Sequence, residues 1–165
     1  MHVTPRFRRL ILFSILSAVL VIAGVLFFFP ANQAVPGKVL EIRDSSSRRI
    51  FGKWPLEENG EFAIEFIHSV NMSPVRETFF VEGKMIRLLS VRFYSFGAGM
   101  QSDMEEGWTL GRDGDALVIT GFTASWRELN YIAGTVSDHI LYINGETVSL
   151  RDLCGKNAHI TLCVK

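Results

Sequence analysis

The feature that most constrains this chain is a run of twenty uncharged, mostly apolar residues near the N-terminus, from Leu10 to Phe29. As an α-helix at about 1.5 Å per residue, the run would be roughly 30 Å long, which matches the hydrocarbon core of a bilayer. The basic residues Arg6, Arg8 and Arg9 stand directly before it. Because cytoplasmic flanks of membrane helices are rich in arginine and lysine, the run predicts a single-pass anchor with its N-terminus in the cytoplasm.

Two other interpretations of this run stay open. A cleaved signal peptide has a shorter apolar core of about 7–15 residues and ends at a small-x-small site. Ala34 is a candidate cleavage residue, but Asn32 stands where a small residue is needed. A buried core helix is disfavoured by the flanking arginines. We therefore expect a cytoplasmic N-terminus over residues 1–9, an anchor over 10–29, a tether over 30–37 and an extracytoplasmic domain over 38–165.

The charge balance limits the partners of this domain. The chain has 17 basic and 17 acidic side chains, and three of the basic ones precede the apolar run, which leaves 14 against 17 beyond it. Binding to phosphates needs a surplus of lysine and arginine. We therefore expect no nucleic-acid partner, and we expect contact with the cytoplasmic membrane through the anchor. The residues from Ala31 to Lys165 suffice for one domain with its own core.

Beyond the tether, short segments rich in valine, isoleucine, phenylalanine and tyrosine alternate with turn residues at intervals of about 8–12 residues. This pattern, with no convincing helical segment, predicts an all-β fold, either an antiparallel β-sandwich or a partly closed barrel. Asn144-Gly145 is a strong signal for a two-residue hairpin. The predicted strands are Val39–Arg43, Arg49–Trp54, Glu61–Ser69, Val75–Glu82, Met85–Phe96, Trp108–Arg112, Ala116–Phe122, Trp126–Ile132, Ile140–Ile143, Glu146–Leu150 and His159–Val164.

Two of these strands predict a hairpin with one polar pair on its apolar face. Folding the chain about residues 71–74 places His68 opposite Glu77, among apolar pairs on both sides. A carboxylate and an imidazole can share a charge-assisted hydrogen bond, which offsets the cost of burying either group. Two interpretations stay open: the pair fixes the strand register, or it forms a polar binding site with Ser69 or Ser73 nearby.

These segments also resemble a known family. The motif consists of Phe66-Ile67-His68-Ser69-Val70, then Ser73-Pro74-Val75 with Glu77, and then Phe93-Tyr94-Ser95-Phe96-Gly97-Ala98-Gly99-Met100. It resembles the bacterial domain-of-unknown-function family numbered 1850, from about Glu65 to Trp108 and more loosely through Asp138-His139 to the C-terminus. Met100 stands where a proline is common.

Members of that family are similar in having an N-terminal anchor and a short domain, and they are often encoded beside TRAP transporters of the TAXI type. The resemblance therefore implies an accessory protein at the outer face of the cytoplasmic membrane. Its partner would be a TRAP permease or the solute-binding protein that feeds it. The resemblance implies no activity and no cofactor.

A small-ligand or metal-binding module is the second function that the sequence supports. Its candidate residues are His68 and Glu77, together with His139 if the fold brings it near them. Gly97 and Gly99 form a G-x-G loop that could approach a ligand, although it lacks the third glycine of a phosphate loop. A tight turn explains the same two glycines.

Two cysteines and one serine complete the candidate residues. Outside the cytoplasm, Cys154 and Cys163 are expected either to form a disulfide or to be two small buried side chains. Two cysteines alone do not make a structural zinc site. Ser69 points to the opposite face of the strand from His68, so a serine hydrolase is only the third interpretation.

Overall fold

The structure is a computed structural model that describes residues 37–56, 60–95, 105–134 and 137–165. Within these ranges, no helix is long and apolar enough to cross a membrane. The predicted anchor lies outside the described residues, as does the tether except Gly37. The elements are β1 Val39–Asp44, β2 Ile50–Pro55, β3 Glu61–Ile67, β4 Pro74–Glu82, β5 Met85–Phe93, β6 Thr109–Asp113, β7 Ala116–Thr120, β8 Ser125–Trp126, β9 Glu128–Ala133, β10 His139–Ile143, β11 Glu146–Ser149, α1 Leu150–Cys154 and β12 Ala158–Val164.

The described strands form two antiparallel sheets. The small sheet has the order β2-β1-β12-β9, and the large sheet has the order β11-β10-β3-β4-β5-β7-β6, with β8 paired to β5. The predicted all-β antiparallel fold is confirmed. Because the two sheets are separate in the described strands, the arrangement is that of a sandwich rather than of a closed barrel.

The main core lies between the two sheets. Leu40 and Ile42 from the small sheet and Ile64 and Leu141 from the large sheet are each 0 % exposed and belong to one apolar cluster. Fully burying each such side chain stabilises the folded state by about 1.5–3 kcal/mol. This shared burial holds the sheets face to face.

A second apolar cluster lies on the large sheet and contains Val75, Phe93 and Ile119. On the inner face of β4, Val75 belongs to this cluster, whereas Phe79 and Val81 belong to the main core. Glu77 stands between the two groups on the same face of the strand. The alternation of β4 therefore directs a carboxyl group toward the space between the sheets.

Every predicted strand overlaps an observed one, but the helix α1 was not predicted. The sequence pattern extended the strand before it to Leu150, which instead begins the helix. Ser149 caps the helix, since its hydroxyl accepts a hydrogen bond from the Asp152 N–H at 3.0 Å. A helix of five residues is too short to show a 3.6-residue period, which explains the omission.

The predicted pairing of His68 with Glu77 is wrong. In the β3–β4 hairpin Ile64 is the partner of Glu77, which is a shift of four residues, because Ile67 pairs with Pro74 and the proline begins β4. Proline is tolerated at the first position of a strand, so Pro74 does not have to belong to the loop. Since the shift is even, each side chain keeps its predicted face.

Candidate functional site

A hydrogen bond between Glu77 and Tyr131 connects the two sheets. Glu77 lies on β4 inside the large sheet, and Tyr131 lies on β9 at the edge of the small sheet. The Tyr131 hydroxyl donates to Glu77 Oε2 at 2.5 Å, and both side chains are partly buried. The alternation of β9 turns Leu129, Tyr131 and Ala133 to the inner face, which is how the tyrosine reaches β4.

Burial changes the proton affinity of both groups. Desolvation raises the pKa of the Glu77 carboxyl above its usual value, while the hydrogen bond from Tyr131 opposes this rise. Burial, and next the charge of Glu77, raise the pKa of Tyr131 well above its usual value. Tyr131 is therefore a neutral hydrogen-bond donor, and Glu77 holds a proton more tightly than an exposed glutamate does.

Glu77 takes part in none of the ion pairs among the described residues. By contrast, Glu128, which borders the same region, is paired with Arg43 and with Arg48 at 3.4 Å. Glu77 is thus a carboxyl group whose polar partner is a phenol and whose charge, when it is ionised, is not neutralised by a neighbouring cation.

An open cleft of about 420 Å³ lies beside Glu77 and Tyr131. A cleft of this volume falls in the range that accommodates small molecules. Its walls carry polar and apolar surface in nearly equal shares. Trp126 at 37 % exposure is the most solvent-accessible of the aromatic residues that line it. The side chains that line this cleft include Glu77, Phe79, Leu88, Trp126, Leu129 and Tyr131.

The His139 ring packs against the ring of Tyr131. His139 begins β10 opposite Phe66, its ring stacks on the Phe66 ring at a centroid distance of 5.1 Å, and it meets Tyr131 edge-on at 5.8 Å. Burial lowers the pKa of His139, while Asp138 raises it and Arg151 lowers it. The fold thus places His139, an imidazole with a lowered pKa, against the Tyr131 ring of the Glu77–Tyr131 pair.

His68 and Ser69 lie in the turn after β3 and not at this cleft. The His68 N–H donates to the Ser73 carbonyl at 2.9 Å, and His68 Nδ1 accepts from the Val70 N–H at 3.3 Å. These bonds close the turn, whereas Ser69 is exposed. Among the predicted binding residues, the structure brings Glu77 and His139 to one region through Tyr131 and leaves His68 and Ser69 apart.

The metal-binding alternative is not formed in the part of the chain that the structure describes. No three or more histidine, cysteine, aspartate or glutamate side chains gather there as they do around a metal ion. The register moves His68 four positions away from the strand neighbour of Glu77. Gly97 and Gly99 lie outside the described residues, so their predicted role stays a prediction.

The two cysteines are free thiols, so the disulfide alternative is not formed. Cys163 is buried in β12, and Cys154 is partly buried at the end of α1. Burial raises the pKa of the Cys154 thiol to about 11, against a weaker opposing effect of Arg49. A thiol that ionises so poorly is a weak nucleophile.

Tyr131 is the residue that sequence reasoning missed. Its strand was predicted, and the alternation of Leu129 with Tyr131 indicates a half-buried strand. The strand that the Tyr131 face packs against is determined by the pairing of β9 with β12. This pairing joins segments far apart in the sequence, and no local pattern predicts it.

The sequence itself relates this chain to other proteins. A family model described as a domain of unknown function, DUF1850, matches residues 62–150. The chain belongs to this family. The DUF1850 region includes Glu77, Trp126, Tyr131 and His139, and the predicted resemblance is confirmed. No curated protein and no solved structure is significantly similar to this DUF1850 chain.

Proposed function

We propose that this DUF1850 domain binds a small molecule in the cleft between its two sheets and that Glu77 is the group that recognises it. The observation that supports this most is a partly buried carboxyl group that lines a cleft beside aromatic and aliphatic side chains and has no cationic partner among the described residues. Placing a carboxyl group there costs free energy that an apolar residue would not cost. Titratable groups with shifted proton affinity in a cleft are frequent at binding sites.

The cleft is tested by methyl NMR on the purified full-length chain with small aromatic probes. We expect a probe to shift the methyl signals of Leu88 and Leu129, which line the cleft, and to leave Leu110, an exposed residue of β6, unchanged. Leu88→Trp, which fills the cleft, should abolish the shifts. Shifts that persist in Leu88→Trp, or probes that perturb no cleft methyl at millimolar concentration, would contradict the proposal.

We further propose that this binding serves an accessory role at the cytoplasmic membrane. The uncharged run from Leu10 to Phe29 behind three arginines favours a single-pass anchor with the β domain outside the cytoplasm. The family resemblance favours association with a TRAP-type transport system, through its permease or its solute-binding protein. A tether would keep the cleft at high effective concentration near such a partner.

Location and partner are tested separately. A protease added to spheroplasts should degrade the β domain, and replacing Arg6, Arg8 and Arg9 with glutamate should reduce that exposure by disturbing the orientation. Crosslinking in intact cells followed by purification should recover a permease or a solute-binding protein. A β domain that is protected in spheroplasts contradicts the orientation, and recovery of the chain alone contradicts the partner but not the cleft.

A further inference from the structure

We infer that the ligand of the cleft is an organic cation with an apolar body, and this inference rests on the proposed function. The charge of the side chains around the cleft favours a cationic ligand. The side chains that border the cleft include two carboxyl groups and no basic group. Glu128 is neutralised by Arg43 and Arg48, so the unbalanced charge belongs to Glu77. An anionic ligand would be repelled there, whereas an ammonium group would supply the missing partner.

The pairing of other acidic groups makes the isolation of Glu77 informative. Acidic groups on both sheets have a basic side chain within 4.0 Å, and the pairs are Lys53–Glu41, Arg76–Glu65, Arg87–Glu82 and Arg92–Asp113. Glu77 is less exposed than Glu82 and Asp113 and therefore depends more on a partner than they do. A ligand cation would complete the same type of pair that these four acidic groups make internally.

The walls of the cleft indicate the rest of the ligand. Trp126 and Tyr131 bring two aromatic rings to its border, Phe79 lies buried beneath it, and Leu88 and Leu129 add aliphatic surface. Aromatic rings attract an ammonium group that lies over the ring face, because the face carries partial negative charge. The aliphatic surface would bury an apolar body. An inorganic cation would leave these walls unused.

Binding of a cation should be linked to the proton on Glu77. The ionised carboxylate pairs with a cation and the protonated carboxyl does not, so affinity should rise with pH through the pKa of Glu77. The neighbouring strands place Ile64 and Val91 beside Glu77, and neither titrates. On the small sheet, Tyr131 donates a hydrogen bond to Glu77, and Glu128, which is paired with Arg43 and Arg48, lines the same cleft. His139 contacts the Tyr131 ring.

The test uses three probes of one shape class on the full-length chain: benzyltrimethylammonium, benzyl alcohol and benzenesulfonate. We expect benzyltrimethylammonium to bind at least about tenfold more tightly than benzyl alcohol, a difference of about 1.4 kcal/mol, because its permanent positive charge is attracted to the Glu77 carboxylate. We expect benzenesulfonate not to bind, because its negative charge is repelled there. Glu77→Gln should remove that preference. Glu82→Gln, on the same strand, is the matched control because Glu82 is exposed and paired with Arg87.

The outcomes separate the two proposals. Equal affinity for benzyltrimethylammonium and benzyl alcohol, unchanged in Glu77→Gln, would overturn the inference and the recognition by Glu77, and would leave binding in the cleft in place. Absence of binding by all three probes would overturn the proposed function itself. If Glu77→Gln does not fold, the wild-type chain still decides, since affinity for the permanently charged probe must fall as the pH is lowered. A pH-independent affinity would overturn the inference.

Discussion

At the scale of single residues, the hydrogen bond between Glu77 and Tyr131 determines the chemistry of the cleft. It supplies the hydrogen-bond donor that the partly buried carboxyl requires, and it opposes the rise in pKa that burial causes. His139 contacts the same tyrosine ring and has a lowered pKa. Substitutions at this pair should therefore change proton affinity in a direction that follows from the geometry.

Tyr131→Phe should raise the pKa of Glu77 further, because it removes the donor that opposes the effect of burial. It should also destabilise the fold by about 1–3 kcal/mol, since a partly buried carboxyl loses its partner. Carboxyl ¹³C NMR titration measures the first effect and urea unfolding the second. Tyr142→Phe is the control, because the Tyr142 hydroxyl donates to Glu65 at 3.2 Å on another face. A Glu77 pKa that shifts equally in both variants would contradict this account.

Glu77→Gln should change how stability depends on pH. In the wild type, the folded state holds the Glu77 proton more tightly than the unfolded state, whose pKa is near the ordinary value of 4.5. The free energy of unfolding should therefore fall as the pH rises from about 4.5 through the folded pKa of Glu77. The glutamine variant should lack this decline. Urea unfolding at a series of pH values tests it, and parallel curves for the two proteins would refute the prediction.

At the scale of elements, the strands were predictable because alternation and turn residues are local signals. The even register shift in the β3–β4 hairpin was not predictable, because Pro74 is compatible with either a loop or the start of a strand. The helix α1 was not predicted because a helix of little more than one turn is too short to show a 3.6-residue period. The Glu77–Tyr131 contact was missed because it joins strands from different sheets, and no pattern within β4 or β9 specifies that meeting.

Gly52 offers a prediction about how β2 connects to the large sheet. A Cβ at Gly52 would lie 2.3 Å from the Trp54 ring, and the ring nitrogen donates to Glu146 on β11 at 3.1 Å. Gly52→Ala should displace the ring, break this bond and destabilise the fold by about 1–3 kcal/mol. Gly111→Ala is the matched control, because its nearest atom would lie at 3.9 Å. Thermal unfolding compares the two, and an equal loss would argue against a specific role for Trp54.

At the scale of the whole molecule, the cleft results from the way the two sheets meet. The chain leaves the large sheet at β8, where Trp126 pairs with Ile86 of β5, and enters the small sheet at β9, so residues of both sheets line the cleft. Patterning predicted an all-β domain, and the resemblance of the motif indicated the family. They identified Glu77 as a notable residue, but the position of its partner required the fold.

The most direct test of the central claim, that the cleft holds a small molecule recognised by Glu77, is native mass spectrometry of the full-length chain purified from the cells that produce it. The account predicts an added small-molecule mass on the wild type that is lost in both Glu77→Gln and Leu88→Trp and retained in the control Glu82→Gln. A wild type without added mass, or an added mass that Glu77→Gln and Leu88→Trp both retain, would contradict it.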